Sequence, residues 1–472
     1  MGNAFRLYAL AVSCGLFFLT TTKVAATDLN LAPPSFETLG KKVVPVDFKN
    51  QTLDLVFDVS QKRAKAVSVI DFVVREQGRP MFDMRSIPTS ITLDQSPLPQ
   101  EAFVTVSAPD NVTKFVMLDK EVSPSSSHRM EIRYDILPEH VTFTEDGASI
   151  GFFMSDVGSD RDFLEQYAPA NLEFDAFPMQ VQLKVLGSGE HKLFTNGKAI
   201  ETQRNSWKIQ FPNYYTSSSF YLHLTQKSLV VAEETFQGIQ KLIPITVYAK
   251  NESLTSQAMS KAKAVLKELE ADYGTFAHEK VVIYVTSEDG GMEYCGATTT
   301  SLNALGHELT HSYFARGVMP ANGNSGWIDE AIATWRDNDY PTATESPTRP
   351  PVNLGGFSAY RRTTPWEAYE EGAQLMSEFD YLFQNNHREG LKPVLQHLFS
   401  AKQHQVITTD FFSQFLETLV EIDLKSIFQK YVYGKGGSRE LHEFSVVPKI
   451  PRMTFKNHHP RKYTHSELLK LR

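Results

Sequence analysis

The chain has 472 residues, 41% of them hydrophobic, with 47 Lys and Arg against 55 Asp and Glu and a formal net charge of −8. That is long for a single core and predicts two or three domains, and the mildly acidic balance, spread along the chain, excludes the general electrostatic footprint of a nucleic-acid-binding protein. Two cysteines, Cys14 and Cys295, are too few to staple a fold.

Residues 1–26 carry one early positive charge at Arg6, a short apolar run from Leu7 to Leu19, and small residues at Ala25 and Ala26, the layout of a secretory signal. The run is too short to span a bilayer comfortably, so the mature chain is expected to be secreted or periplasmic with no stable membrane span, the alternative being an uncleaved membrane anchor. Cys14 would leave with the signal, and Cys295 alone could form no internal disulfide.

Residues 27–235 break into short segments rich in Val, Ile, Phe and Tyr, among them Leu53–Phe57, Ala66–Val74 and Met179–Val185. Polar and apolar residues alternate, and Pro, Gly, Asn and Asp fill the gaps, which predicts antiparallel sheets in an all-β domain. Helical spacing begins after a strand-like Leu242–Ala249. Ser253 is placed to cap a helix with apolar residues at Ala258, Ala262, Val265, Leu266, Leu269 and Tyr273, closed by Gly274. Lys280–Val285 reads as a buried strand. A loop rich in Pro and Thr covers roughly residues 341–365, and a long helix starts near Trp366. Further helices are expected near Leu391–Phe399, Thr409–Leu419 (capped by Thr408) and Lys425–Tyr433. The fold class is α+β: the all-β domain, a mainly α domain over 236–440, and a basic tail over 441–472 that is solvated or laid on the acidic body.

The chemistry concentrates in His307-Glu308-Leu309-Thr310-His311. Four residues apart on a helix, the two imidazoles lie on one face and can converge on one ion at roughly 2.0–2.1 Å, the distance zinc prefers. Glu308, about a third of a turn away, is poorly set to bind that ion but can take the proton of a water the ion holds. Eighteen residues separate His311 from Glu330, enough for a loop and a return on a second helix, Trp327–Trp335. Two histidines and a glutamate leave the fourth position open, as in catalytic rather than structural zinc sites.

Gly290-Gly291-Met292-Glu293, then the histidine pair, then Glu330 resemble, in that order, the aminopeptidase N family of zinc peptidases, the gluzincins. That family's motifs are G-x-M-E-N and H-E-x-x-H with a glutamate at the same separation. The resemblance covers roughly residues 240–435 and, more weakly, Gln166–Asp175, where the family has its amino-terminal saddle domain. It implies a thermolysin-like catalytic domain, one Zn2+ ion held by His307, His311 and Glu330, and Glu308 as general base. By the same resemblance Glu293 anchors the α-amino group of a peptide. A fixed carboxylate beside the metal measures from the amino end and so makes an exopeptidase. Gly290 and Gly291, with Met292, suit a backbone that pairs with substrate as an added strand. Tyr369, in Tyr369-Glu370-Glu371-Gly372, matches the family's tyrosine before Glu-x-Gly and would donate to the tetrahedral oxyanion. Tyr360 and Tyr381 are its competitors.

Two departures bear on the substrate edge: Tyr294 stands where the family has Asn, and only thirteen residues separate Glu293 from His307. The chain is expected to be a short version without the carboxy-terminal helical domain, with an open cleft. A second acidic anchor is expected among Asp156, Asp160, Asp162 and Glu165, and Cys295 is either a reactive thiol or a small buried residue. The reading is an exported zinc aminopeptidase acting on peptides through a metal-bound water. Its alternatives are a zinc endopeptidase with an open cleft and a catalytically inert secreted peptide-binding protein.

Overall fold

The computed structural model describes residues 29–155, 161–286, 289–387, 389–420 and 424–435. The expected signal with Cys14, the basic tail, Asp156 and Asp160 lie outside the described residues.

The amino-terminal half is built on one long hairpin. Lys41–Asp58 runs antiparallel to Arg63–Val74 with Leu53 opposite Ser68, and a bulge between Phe48 and Asn50 bends the longer strand. Met179–Leu186 joins parallel to Lys41–Asp58, its residues alternating buried and exposed along its whole length. That alternation marks a sheet with one face on a core and one in water. The core it covers includes Leu53, Leu55, Ile132, Phe152, Val181 and Leu183. The alternation legible in the sequence reports real strands, each longer than the segment that signals it.

A second sheet of five strands follows, in the order Val230–Gln237, Leu242–Ala249, Val281–Val285, Ala297–Thr300, Gly291–Tyr294. Its three inner strands run parallel and both edge strands antiparallel. Every residue of Val281–Val285 is buried, as a strand covered on both faces requires. Helix α1, Glu252–Tyr273, lays its expected apolar positions against this sheet and ends at Gly274, whose φ of +102° suits a residue without a side chain. Its cap is Asn251 rather than Ser253. The Asn251 Oδ1 accepts from the Leu254 N–H at 3.0 Å, whereas Ser253 already lies inside the first turn.

The remaining helices are α2 (Leu305–Thr310), α3 (Trp327–Asp337), α4 (Glu367–His387), α5 (Leu391–Lys402), α6 (Thr409–Val420) and α7 (Lys425–Tyr431). The Thr408 hydroxyl accepts from the Phe411 N–H at 3.1 Å, capping α6 as expected. Among the described residues no helix is long and apolar enough to cross a membrane. The helices and the second sheet share a separate core that includes Leu266, Ile283, Leu309, Trp327, Met376 and Phe428. Helix α2 packs between α1 and the sheet's last two strands, and α3 lies against α2 on one side and α4 on the other.

Candidate active site

Helix α2 closes at Thr310, one residue short of the second histidine, but His311 keeps helical angles (φ −62°, ψ −19°), so the one-turn relation to His307 holds. Across from it, α3 presents Glu330. The His307 Nε2 lies 3.2 Å and the His311 Nε2 3.5 Å from the same Glu330 Oε2. On the far side of each ring, His307 Nδ1 is 2.8 Å from Asp337 Oδ2, and His311 Nδ1 is 3.2 Å from the Phe314 carbonyl and 3.4 Å from Asp329 Oδ2. Those contacts turn both Nε2 atoms inward.

A tetrahedron with bonds of roughly 2.0–2.1 Å has edges of about 3.3–3.4 Å, and the donor separations match it. The His311 Nε2 is buried with no hydrogen-bond partner among the described residues, a cost that a coordinated cation removes. Burial disfavours a charged ring at His307, yet Asp337 and Glu330 outweigh it and raise the ring's pKa well above the ordinary imidazole range. The carboxylates around this point call for positive charge. Together His307, His311 and Glu330 fit a divalent ion such as zinc.

Glu308 is buried beside Gly291 of the edge strand, where a β-carbon would fall 2.5 Å from its Cγ, Cδ and Oε1. That strand, Gly291–Tyr294, pairs on one side only, with Ala297–Thr300, and among the described residues no strand covers its other edge. Gly290 enters it at φ +110°. The Met292 side chain turns away into an aromatic cluster with Phe153, Tyr221 and Tyr284. Tyr294 belongs to the same cluster, and its hydroxyl accepts from the Met154 N–H of the amino-terminal half at 3.0 Å. The residue found where the family has Asn therefore joins the two halves of the molecule.

Tyr369, on the first turns of α4, stacks on His307 with ring centroids 6.1 Å apart. Gly372 allows this approach: a β-carbon there would come within 2.8 Å of the Ala331 side chain, so α4 lies close on α3. Of the competing tyrosines, Tyr360 donates to the Pro34 carbonyl at 2.8 Å in a separate apolar cluster, and the Tyr381 backbone carbonyl accepts from Asn385.

Four residues at the site are not singled out by the sequence: Asp337, Arg316, Arg362 and Glu173, the last inside the weakly matching Gln166–Asp175. The last three line one cavity together with Glu293 and Asp329. Glu173 reaches it from the amino-terminal half, with neither carboxylate oxygen hydrogen-bonded among the described residues, and burial raises its pKa against the pull of Arg362 and Arg161. Glu165 is buried among Arg85 and Arg161, and Asp162 accepts from Gln166, so neither of these acids lines that cavity. Cys295 is fully buried, and burial pushes its thiol up to about 12, which leaves the small buried residue of the two expectations.

The folded chain thus combines a curled β half, a mixed half built on a five-stranded sheet, and a two-histidine, one-glutamate cluster between facing helices. This is the fold of the M1 zinc metallopeptidases in their two-domain form. No protein-family model and no curated protein matches the chain. Among solved structures, an M1 zinc metallopeptidase from Deinococcus radiodurans is similar at a TM-score of 0.58 with 13% identity, over 84% of this chain and 95% of that one. A two-domain M1 zinc metallopeptidase bound to L-tryptophan is similar at 0.59 with 13% identity, over 90% and 99%. Aminopeptidase A from Legionella pneumophila, in complex with aspartic acid, is similar at 0.62 with 13% identity, over 84% of this chain and 50% of that one.

Proposed function

We propose that the chain is an exported zinc aminopeptidase that removes amino-terminal residues from peptides, with a β domain followed by a peptidase domain whose sheet begins at Val230–Gln237, a few residues before the 235/236 boundary expected from the sequence. The observation that carries this reading is the meeting of His307, His311 and Glu330 in one cluster, with Tyr369 stacked on His307. The shared fold supports it, and one Deinococcus neighbour was solved with a Tyr-Ser-Ala substrate.

When bound, a zinc ion in this cluster supplies Lewis acidity and a water acidified to a pKa of about 7. Glu308 takes the proton from the attacking water and delivers it to the leaving amine. Tyr369 donates its hydroxyl hydrogen to the oxygen on which negative charge develops. Glu293 holds the substrate ammonium, while the open edge of Gly291–Tyr294 pairs with the peptide backbone, so the bond broken is the first from the amino end. Asp337 fixes the tautomer of His307.

Product analysis tests the reading. The full-length, zinc-loaded chain given a peptide of mixed sequence is expected to release its first residue as a free amino acid, detected by mass spectrometry. Internal fragments would instead favour the endopeptidase, and intact peptide with zinc bound would favour the inert binding protein.

A further inference from the structure

The cavity that contains Glu293 is unusual in its charge. Three acids line it, Glu173, Glu293 and Asp329, and so do two guanidinium groups, Arg316 and Arg362. Arg316 grips Glu293 twice: its Nη2 donates to Oε1 at 3.1 Å and its Nε to the backbone carbonyl at 3.4 Å, while its Nη1 donates to the Ser218 hydroxyl at 2.6 Å. The Arg316 side chain is 6% exposed and that of Glu293 1%, so water screens the pair poorly. Arg362 stands in a looser relation to Glu173, 3.7 Å from its Oε1.

An ammonium group within hydrogen-bond reach of the Glu293 carboxylate comes close to the guanidinium already seated there. Attraction and repulsion both fall off as the inverse of distance, and in a poorly screened site the guanidinium takes back much of what the carboxylate supplies. Arg362 is paired with the buried Asp83, its Nη1 2.5 Å from Oδ2, so of the two arginines it is Arg316 that pairs with Glu293. From this geometry we infer that Arg316 is a specificity-determining residue: it cancels the charge of Glu293, so the site favours a free amino terminus over a blocked one only modestly. The inference rests on the assignment of Glu293 as the amine anchor proposed above.

Calorimetric titration of the full-length, zinc-loaded protein with L-leucinamide and with N-acetyl-L-leucinamide tests it without relying on turnover. The native protein is expected to favour the free amine by no more than about tenfold, and Arg316→Gln to widen that preference by roughly a further tenfold through tighter binding of the free amine. Arg316→Lys, which keeps the cation, is expected to stay near the native preference. A native preference of about a hundredfold or more would overturn the inference, whether or not either variant folds. So would an Arg316→Gln protein of native circular dichroism and zinc content whose preference is unchanged or reduced. Release of amino-terminal residues in either of those cases would leave the aminopeptidase reading standing and remove the inference alone. Failure to bind either amide would remove both the inference and the anchor.

Discussion

A β-carbon on Gly291 would stand 2.5 Å from the carboxyl carbon of Glu308. The edge strand and α2 therefore touch at the carboxylate proposed as the general base. Gly291→Ala is expected to push Glu308 aside and lower kcat by about a hundredfold, since a displacement near 1 Å in a reacting group costs that much. Metal content should not change, because Gly291 lies outside the ligand cluster. Steady-state kinetics beside metal analysis of the same sample checks both halves of this expectation.

Glu308→Gln keeps the shape of the side chain and removes its basicity. The variant is expected to bind zinc as the native protein does and to lose roughly 10²–10⁴-fold in kcat, the usual worth of a positioned general base. Native turnover in a zinc-replete variant would end Glu308's assignment.

The Asp337 carboxylate, 2.8 Å from the far nitrogen of His307, touches no ligand atom that faces the cluster centre. Asp337→Asn is expected to weaken zinc binding by about 10–100-fold, as loss of an orienting partner does. Competition against a chromophoric chelator measures it. At saturating zinc, turnover should recover most of its native value.

Tyr294→Phe removes the acceptor of the buried Met154 N–H and nothing else. The variant is expected to lose about 1–3 kcal/mol of stability, the cost of stranding a buried donor. Urea denaturation reads this directly. Zinc binding should be untouched, since the interaction spans the two halves rather than the ligand cluster.

Much of this site was legible in the sequence because its members sit at helical spacings. His307 and His311 are one turn apart and Glu330 follows on the next helix, whereas Tyr369 was legible only through the resemblance of Tyr369-Glu370-Glu371-Gly372 to the family's motif. Asp337 carried the same kind of signal unread: it lies seven residues past Glu330, two turns along the same face of α3. Glu173, inside the weakly matching Gln166–Asp175, and Arg316 carried no spacing that links them. One arrives from the other half of the molecule and the other follows α2 at no regular spacing, so only tertiary folding brings them together. The acidic stretch ending at Glu165 had the right composition for an anchor, but Glu165 is paired with Arg161, four residues before it, and with Arg85, which only the fold brings there. The cap of α1 was missed by two residues because Asn251 and Ser253 are both good capping types and only the helix phase tells them apart.

Peptide hydrolysis is expected to depend on one zinc ion held by His307, His311 and Glu330. The deciding measurement assays a panel of fluorogenic aminoacyl substrates with the native chain, the chelated chain, and the chelated chain titrated with Zn2+. The expected result is hydrolysis that vanishes on chelation and returns in full at about one equivalent of zinc. Hydrolysis indifferent to chelation, or a chain that takes up no zinc, would contradict this dependence.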